Sequence, residues 1–312
     1  MRAATIRDGE VVVAEHPDPA PGQGEILVRV RAAGVNGADM LQRRGLYPAP
    51  SGAPADIPGL ELAGQVVAGG PGAERFAEGD RVMAVVGGGG QAEIAVLHER
   101  QAMPMPAGLD WPEAGGLPEV FTTAHDALFT QAGLAAGERL LVHGGAGGVG
   151  TAAVQLGRAA GARVTATVRD EAKRDAVEAL GARVIPPGGF GEHGPFDVIL
   201  ELVGAPNLAE NLTALATLGR LQVIGIGAGA RGELNLGLVM AKRATVRGST
   251  LRARPLEEKA AAARAMERHV LPLFEAGALR VPVDETFPLD AVADAYDRFA
   301  AGGKLGKIVL TP

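Results

Sequence analysis

The chain has 312 residues, more than one core usually serves, so two domains are expected. Its 47% hydrophobic and 21% charged residues are ordinary for a globular protein, and no apolar run approaches the roughly 20 residues of a membrane span. With no cysteine there are no disulfides, iron–sulfur clusters or cysteine-ligated zinc, and a formal net charge of −6 argues against nucleic acid, whose phosphates are bound by Lys and Arg. The opening MRAATIRDGE lacks an apolar signal core, so a cytoplasmic protein without a membrane partner is expected.

The first hundred residues read as short strands punctuated by Gly and Pro: Ile26 to Val30, Glu61 to Val67, Asp80 to Val86 and Ala92 to Val96, the last two bracketing the Gly87–Gly90 turn. After Pro118 the pattern changes. Helical spacing from Thr122 to Gly133 leads into strands that alternate with amphipathic helices. The strands are Leu140 to His143, Arg163 to Val168, Ala182 to Ile185, Phe196 to Leu200, Arg220 to Ile224 and Ala244 to Arg247. Helices are expected through Val154 and Leu156, from Glu171 to Leu180 and from Leu208 to Leu218. Such alternation predicts a parallel, doubly wound α/β sheet of six strands. The tail carries a long helix from Leu256 to Glu275, a second from Leu289 to Ala300, and a last strand, Lys307 to Leu310, that needs a partner in the N-terminal β region. The expected division is 1–119, then 120–254, with 255–312 returning to the first domain.

Gly145-Ala146-Gly147-Gly148-Val149-Gly150 forms G-x-G-x-x-G directly after a strand and at the opening of a helix. In that context the first Gly allows the tight turn, the second lets backbone approach a pyrophosphate and the third lets helix and strand pack closely. The helix N-terminus offers N–H groups to phosphate. A dinucleotide cofactor follows. At the end of the second strand stand Arg169, Asp170, Glu171 and Lys173. An NAD site wants an acid there for the ribose 2′-OH, whereas Arg169 and Lys173 suit a 2′-phosphate, so NADPH is expected. Asp170 and Glu171 are the counter-evidence, but they fit the cap and first turn of the next helix.

The segments Ala33 to Asp39, Arg44 to Pro48, Ile57 to Gly64, Gly79 to Val82, the glycine turn with Ala153 to Leu156, and Gly306 to Leu310 resemble the medium-chain dehydrogenases/reductases over nearly the whole chain. Within them the sequence is similar to the zinc-free quinone oxidoreductase branch, and Gly88 to Glu93 and Leu117-Pro118-Glu119 resemble its tumour-suppressor-induced type. The resemblance implies a Rossmann doubly wound parallel six-stranded sheet plus a GroES-like β-rich catalytic domain, a quinone or electron-poor enone as substrate, and a homodimer. It also implies no metal. Zinc-dependent relatives carry Cys and His where this chain has Asn36 and Leu60, and their structural zinc lobe corresponds here to the glycine turn after Val86. Two departures stand out. The tyrosine that often follows the third Rossmann strand is replaced by Pro186-Pro187-Gly188-Gly189, and Gly147 occupies a position where relatives carry Ser.

Without a metal, hydrogen bonds must polarise the acceptor as negative charge develops on its oxygen. The resemblance places Asn36 beside the nicotinamide as a donor and Tyr47 in the substrate pocket, as a proton donor or as a wall that stacks on a flat ring. Thr123 matches a helix-start position near the nicotinamide. Gly225 and Gly227 end the fifth strand, and Ser249, Thr250 and Leu251 follow the sixth, at the strand ends where open α/β sheets bind ligands. Glu61 is expected as a buried structural carboxylate and Tyr296 as packing. An enoyl-thioester reductase and a non-enzymatic NADPH-binding protein remain the alternatives.

Overall fold

A computed structural model describes residues 1–312. It divides into two units, one of residues 1–122 with 251–312 and one of residues 123–250. The second unit therefore ends at Thr250 rather than at residue 254, and Leu251 to Arg254 belong to the first.

The first unit is built on strands whose apolar positions alternate. In Glu25–Val35, Ile26, Val28 and Val30 are buried while Arg29 and Arg31 face out. They pack with Leu62, Val66 and Val82 into one core. The sheet runs Val283–Pro288, Lys307–Thr311, Glu25–Val35, Glu61–Gly69, Arg81–Val85, Ala102–Pro104, with Ile94–His98 also paired to Glu25–Val35. The C-terminal strand does return to this unit: it pairs antiparallel with Glu25–Val35, Ile308 opposite Val35. Its Ile308 and Leu310 share a second core with Val35, Leu289, Val292 and Tyr296.

An N-terminal hairpin, Arg2–Arg7 with Glu10–Glu15, was not among the expected strands. Its signal is Asp8-Gly9, both at positive φ (51° and 83°), as a two-residue hairpin turn requires. The long C-terminal helix is two helices, Leu256–His269 and Leu271–Glu275. Pro272 has no N–H to continue the ladder, and its ring disfavours helix in the residue before it.

The second unit has six parallel strands in the order Arg183–Ile185, Arg163–Thr167, Arg139–Val142, Phe196–Glu201, Leu215–Val223, Thr245–Gly248. That is the doubly wound order 3-2-1-4-5-6, reversing beside Arg139–Val142. The helix expected to reach Leu218 stops at Ala214, because Leu215 already enters the strand. Leu141, Ile199, Leu212 and Leu221 form its core.

Candidate functional site

In the second unit the strand Arg139–Val142 runs into the glycine turn, and the helix Gly148–Ala159 begins with Gly147 as its N-cap. No side chain caps this end, so the first-turn N–H groups are left for an external acceptor such as phosphate. The three motif glycines are not equivalent. A Cβ on Gly150 would stand 2.2 Å from the Gly144 carbonyl oxygen, and one on Gly145 2.8 Å from Ala166 Cβ. On Gly147 it would meet only the Gly144 oxygen, at 3.4 Å. A small side chain would therefore fit at this position. We expect Gly147→Ser to bind a nicotinamide cofactor nearly as the parent does. Gly150→Ala should weaken binding about 10- to 100-fold, the equivalent of about 1–3 kcal/mol of overpacking. Fluorescence titration with the reduced cofactor separates the two, and equal losses would refute the distinction.

A buried polar cluster props the turn from behind. Thr167 Oγ1 accepts from the Gly144 N–H at 3.2 Å and bonds His143 Nδ1 at 3.2 Å. His143 Nε2 bonds Asn211 Oδ1 at 2.8 Å, and Asn211 Nδ2 donates to Glu201 Oε2 at 2.7 Å. Burial pushes the His143 pKa below its ordinary value, against the nearby Glu201, so the imidazole is neutral at neutral pH. Glu201 Oε1 also accepts from the N–H groups of Val203 and Gly204, at 2.6 and 2.8 Å. This holds the strand end against which Gly225 packs: the Gly225 N–H donates to the Glu201 carbonyl at 3.0 Å. His143 at a strand end was legible as packing, but Glu201 and Asn211 carried no sequence signal of their own.

At the corner after the second strand, Asp170 accepts from the Ala172 N–H at 3.1 Å as the cap of a short 3₁₀ turn, and Glu171 pairs with Arg174 at 3.1 Å. The two acids are thus occupied locally. Arg169 is exposed and Lys173 half-buried. Arg174, which the sequence did not single out, has its Nε buried without a hydrogen-bond partner. Of the remaining expected cofactor residues in this unit, Gly227 borders open space and Ser249 Oγ donates to Asp126 Oδ2 at 3.3 Å. Thr123 lies within the helix Pro118–His125 rather than at its start. Leu251 belongs to the first unit and lines a small, largely apolar cavity with Val85, Met103, Thr122 and Lys259.

In the first unit, Asn36 is buried and its amide is held on both ends. Oδ1 accepts from Lys307 Nζ at 2.6 Å, and Nδ2 donates to Glu61 Oε1 at 2.9 Å. The second amide hydrogen reaches only the Gly34 carbonyl, at 3.4 Å. Lys307 also donates to Glu61 Oε1 at 2.6 Å and to the Val35 carbonyl at 3.2 Å. Glu61 Oε2 accepts from the Glu119 N–H at 2.8 Å, so this carboxylate has the structural role expected of it. The cation beside it was not anticipated. Gly34 makes room for the pair, since a Cβ there would stand 2.1 Å from Glu61 Oε1 and 3.0 Å from Lys307 Cε.

Asp39 lies alongside, wholly buried. It accepts from the Asn36 N–H at 2.8 Å and the Gly59 N–H at 3.1 Å. Burial pushes its pKa up to about 6, against those two hydrogen bonds and the charges of Lys307 and Arg252. Gln91 joins the group to Tyr296, whose hydroxyl donates to Gln91 Oε1 at 2.8 Å; Tyr296 is a fully buried packing residue, as expected. Tyr47 is half-buried, and burial, the largest influence, raises its pKa above the usual value of 10. At neutral pH the phenol keeps its proton and can donate. No group of three or more His, Asp or Glu side chains is gathered to hold a metal.

Two family models match this chain: the alcohol dehydrogenase GroES-like domain over residues 22–107 and the zinc-binding dehydrogenase over residues 187–310. Quinone oxidoreductase of Lama guanicoe is 33% identical over 305 residues, covering 94% of this chain and 90% of that protein. Erythronolide synthase EryA2 of Saccharopolyspora erythraea is 46% identical over 173 residues, 54% of this chain but 5% of that protein. Among solved structures, an alcohol dehydrogenase superfamily protein from Novosphingobium aromaticivorans superposes with a TM-score of 0.88 at 30% identity, covering 100% of this chain and 99% of that one.

Proposed function

The chain belongs to the medium-chain dehydrogenase/reductase superfamily of NAD(P)-dependent oxidoreductases, and on that premise we propose that it is a zinc-independent, NADPH-dependent reductase of quinones or electron-poor enones. The observation that carries the cofactor half is the uncapped helix N-terminus behind Gly147, in a sheet of doubly wound order. Arg169, Lys173 and the orphaned Nε of Arg174, with Asp170 and Glu171 occupied by their own backbone and neighbour, support a 2′-phosphate. The bound cofactor supplies a hydride from its nicotinamide C4.

The protein's part is to stabilise the negative charge that appears on the acceptor oxygen. In this reading Tyr47 donates its phenol hydrogen, and Asn36 offers the one amide hydrogen held only by the long contact to Gly34. Lys307 fixes the amide by donating to its oxygen. The same ammonium supports zinc independence: a buried positive charge 2.6 Å from both Asn36 Oδ1 and Glu61 Oε1 opposes a second cation there.

The test is consumption of NADPH with a panel of small quinones and enones. We expect turnover, with NADPH preferred over NADH by about tenfold or more, roughly 1.4 kcal/mol for one charge-assisted contact, and the preference lost in Arg169→Ala. No turnover at high enzyme concentration would refute the reading, and tight NADPH binding alone would then favour a non-enzymatic role. The likeness to part of erythronolide synthase EryA2 supports a second reading, an enoyl-thioester reductase. Faster turnover of a crotonyl thioester than of any quinone would establish it.

The second unit also supports a homodimer. Its edge strand Thr245–Gly248 is exposed along its whole length, and Leu236 and Met240 beside it are 65% and 76% exposed. An open edge flanked by apolar side chains is a template for pairing with a second copy about a two-fold axis. Sedimentation should give a dimer that Met240→Glu with Val246→Glu turns into a monomer; a monomeric parent would end this proposal.

A further inference from the structure

Tyr47, Gly87 and Leu251 stand on three separate segments of the first unit, and a single side chain fastens the three together. Arg252 is 3% exposed. It donates from Nε to the Gly87 carbonyl at 2.8 Å, from Nη1 to the Tyr47 carbonyl at 2.9 Å and from Nη2 to Gln42 Oε1 at 2.6 Å. Its guanidinium carbon lies 5.1 Å from the centroid of the Tyr47 ring. All three acceptors are neutral. A guanidinium buried among neutral acceptors pays a desolvation cost that no directly paired carboxylate offsets. The acid that faces it is Asp39, acting through space, and Lys259 adds a further positive charge nearby.

We infer that Arg252 is a positioning residue for acceptor reduction. It fixes the loop that carries Tyr47 and, lying on the ring face, makes the phenol O–H a stronger donor to the acceptor oxygen. This rests on the reductase reading above and sharpens its substrate class: carbonyl acceptors whose reduction leaves a delocalised oxyanion, as quinones and enones do. In that step the acceptor carbon gains hydride and its π electrons move to oxygen. The dihydronicotinamide is oxidised by two electrons, and a proton from water then neutralises the oxyanion. A cation against an aromatic face is attracted to the ring and favours the ionised phenol. The charged groups facing the phenol are Arg252, which opposes the effect of burial, and Glu119, which adds to it.

The chain has two tyrosines, which makes the coupling directly readable. Burial pushes the fully buried Tyr296 well above the usual tyrosine range, so the lower phenolate transition in an absorbance titration of the free protein belongs to Tyr47, and Tyr47→Phe identifies it. Arg252→Met should move that transition to higher pH, and Arg252→Lys should restore most of the shift. With a quinone, Arg252→Met should lower kcat/KM about 10- to 100-fold. Once Tyr47 is Phe, the same substitution should cost little more. An unmoved Tyr47 transition, or an equal loss with and without Tyr47, overturns the inference. If no quinone or enone is reduced at all, the reductase reading fails, and the titration by itself still decides whether Arg252 acts on Tyr47. Should Arg252→Met fail to fold, Arg252→Gln, which keeps hydrogen bonding without the charge, replaces it in both measurements.

Discussion

Replacing Lys307 by Met is expected to destabilise the first unit by about 3–5 kcal/mol, the usual consequence of removing one partner from a buried ion pair. The pair is about as dry as a protein allows, with the two side chains 3% and 0% exposed. Without the ammonium, Glu61 keeps only the Asn36 amide and the Glu119 N–H, too few donors for a carboxylate sealed from water. Removing both charges, as Lys307→Met with Glu61→Gln, should recover most of the loss, because the neutral amide no longer needs a cation. The only tryptophan of the chain, Trp111, lies in this unit and packs against Arg81, so its fluorescence in urea follows this unfolding. A Lys307→Met protein within about 1 kcal/mol of the parent would show that the pair contributes little. Activity adds a second readout. Asn36 would lose the contact that fixes its amide, so Lys307→Arg should retain more turnover than Lys307→Met.

The second large effect concerns pH. Asp39 titrates at 3.8 in the unfolded chain and at about 6 in the folded one. Between these values the folded protein holds a proton that the unfolded chain has released. Its stabilising contribution is therefore complete below the unfolded pKa and is lost as pH rises through the folded one. The loss amounts to roughly 3 kcal/mol at 1.36 kcal/mol per pH unit. Asp39→Asn does not titrate there. The parent minus Asp39→Asn difference in unfolding free energy should accordingly fall by about 3 kcal/mol from about pH 3 to about pH 7. A difference that is flat across that range would mean that Asp39 is ionised in the folded protein throughout. The same carboxyl neighbours Asn36 by a direct hydrogen bond, so the activity profile should bend in this window as well.

Much of the second unit was legible because its information is local. The strand–helix alternation, the glycine spacing and the capping role of Asp170 each depend on residues within one turn or one βαβ unit, and all three stand in the structure. Boundaries were less legible where two local tendencies compete. Apolar spacing continues through Pro272 although the backbone cannot, and the helix from Leu208 gives way to a strand whose pairing with Phe196–Glu201 lies outside any local window. The N-terminal hairpin, by contrast, has a purely local signal in Asp8-Gly9.

The first unit was legible in its strands and much less in its polar interior. Asn36, Tyr47 and Glu61 stand out through resemblance, but the cation that each of them bonds or faces lies far off in sequence. Lys307 lies 246 positions from Glu61 and 271 from Asn36, and Arg252 lies 205 from Tyr47. Both cations sit in stretches that read as ordinary charged residues bordering a strand. Nothing in composition or periodicity marks a lysine or arginine that will be buried, since most such residues stay in water.

By itself, then, the sequence determined the glycine turn: Gly145, Gly147 and Gly150 with the helix they open, because a turn and the helix end beside it are set by adjacent residues. Only the tertiary structure decided the polar core around Asn36 and the loop under Tyr47. There the deciding quantity is the free energy of a buried charge, which depends on which strand returns beside which, and so on the whole chain being folded.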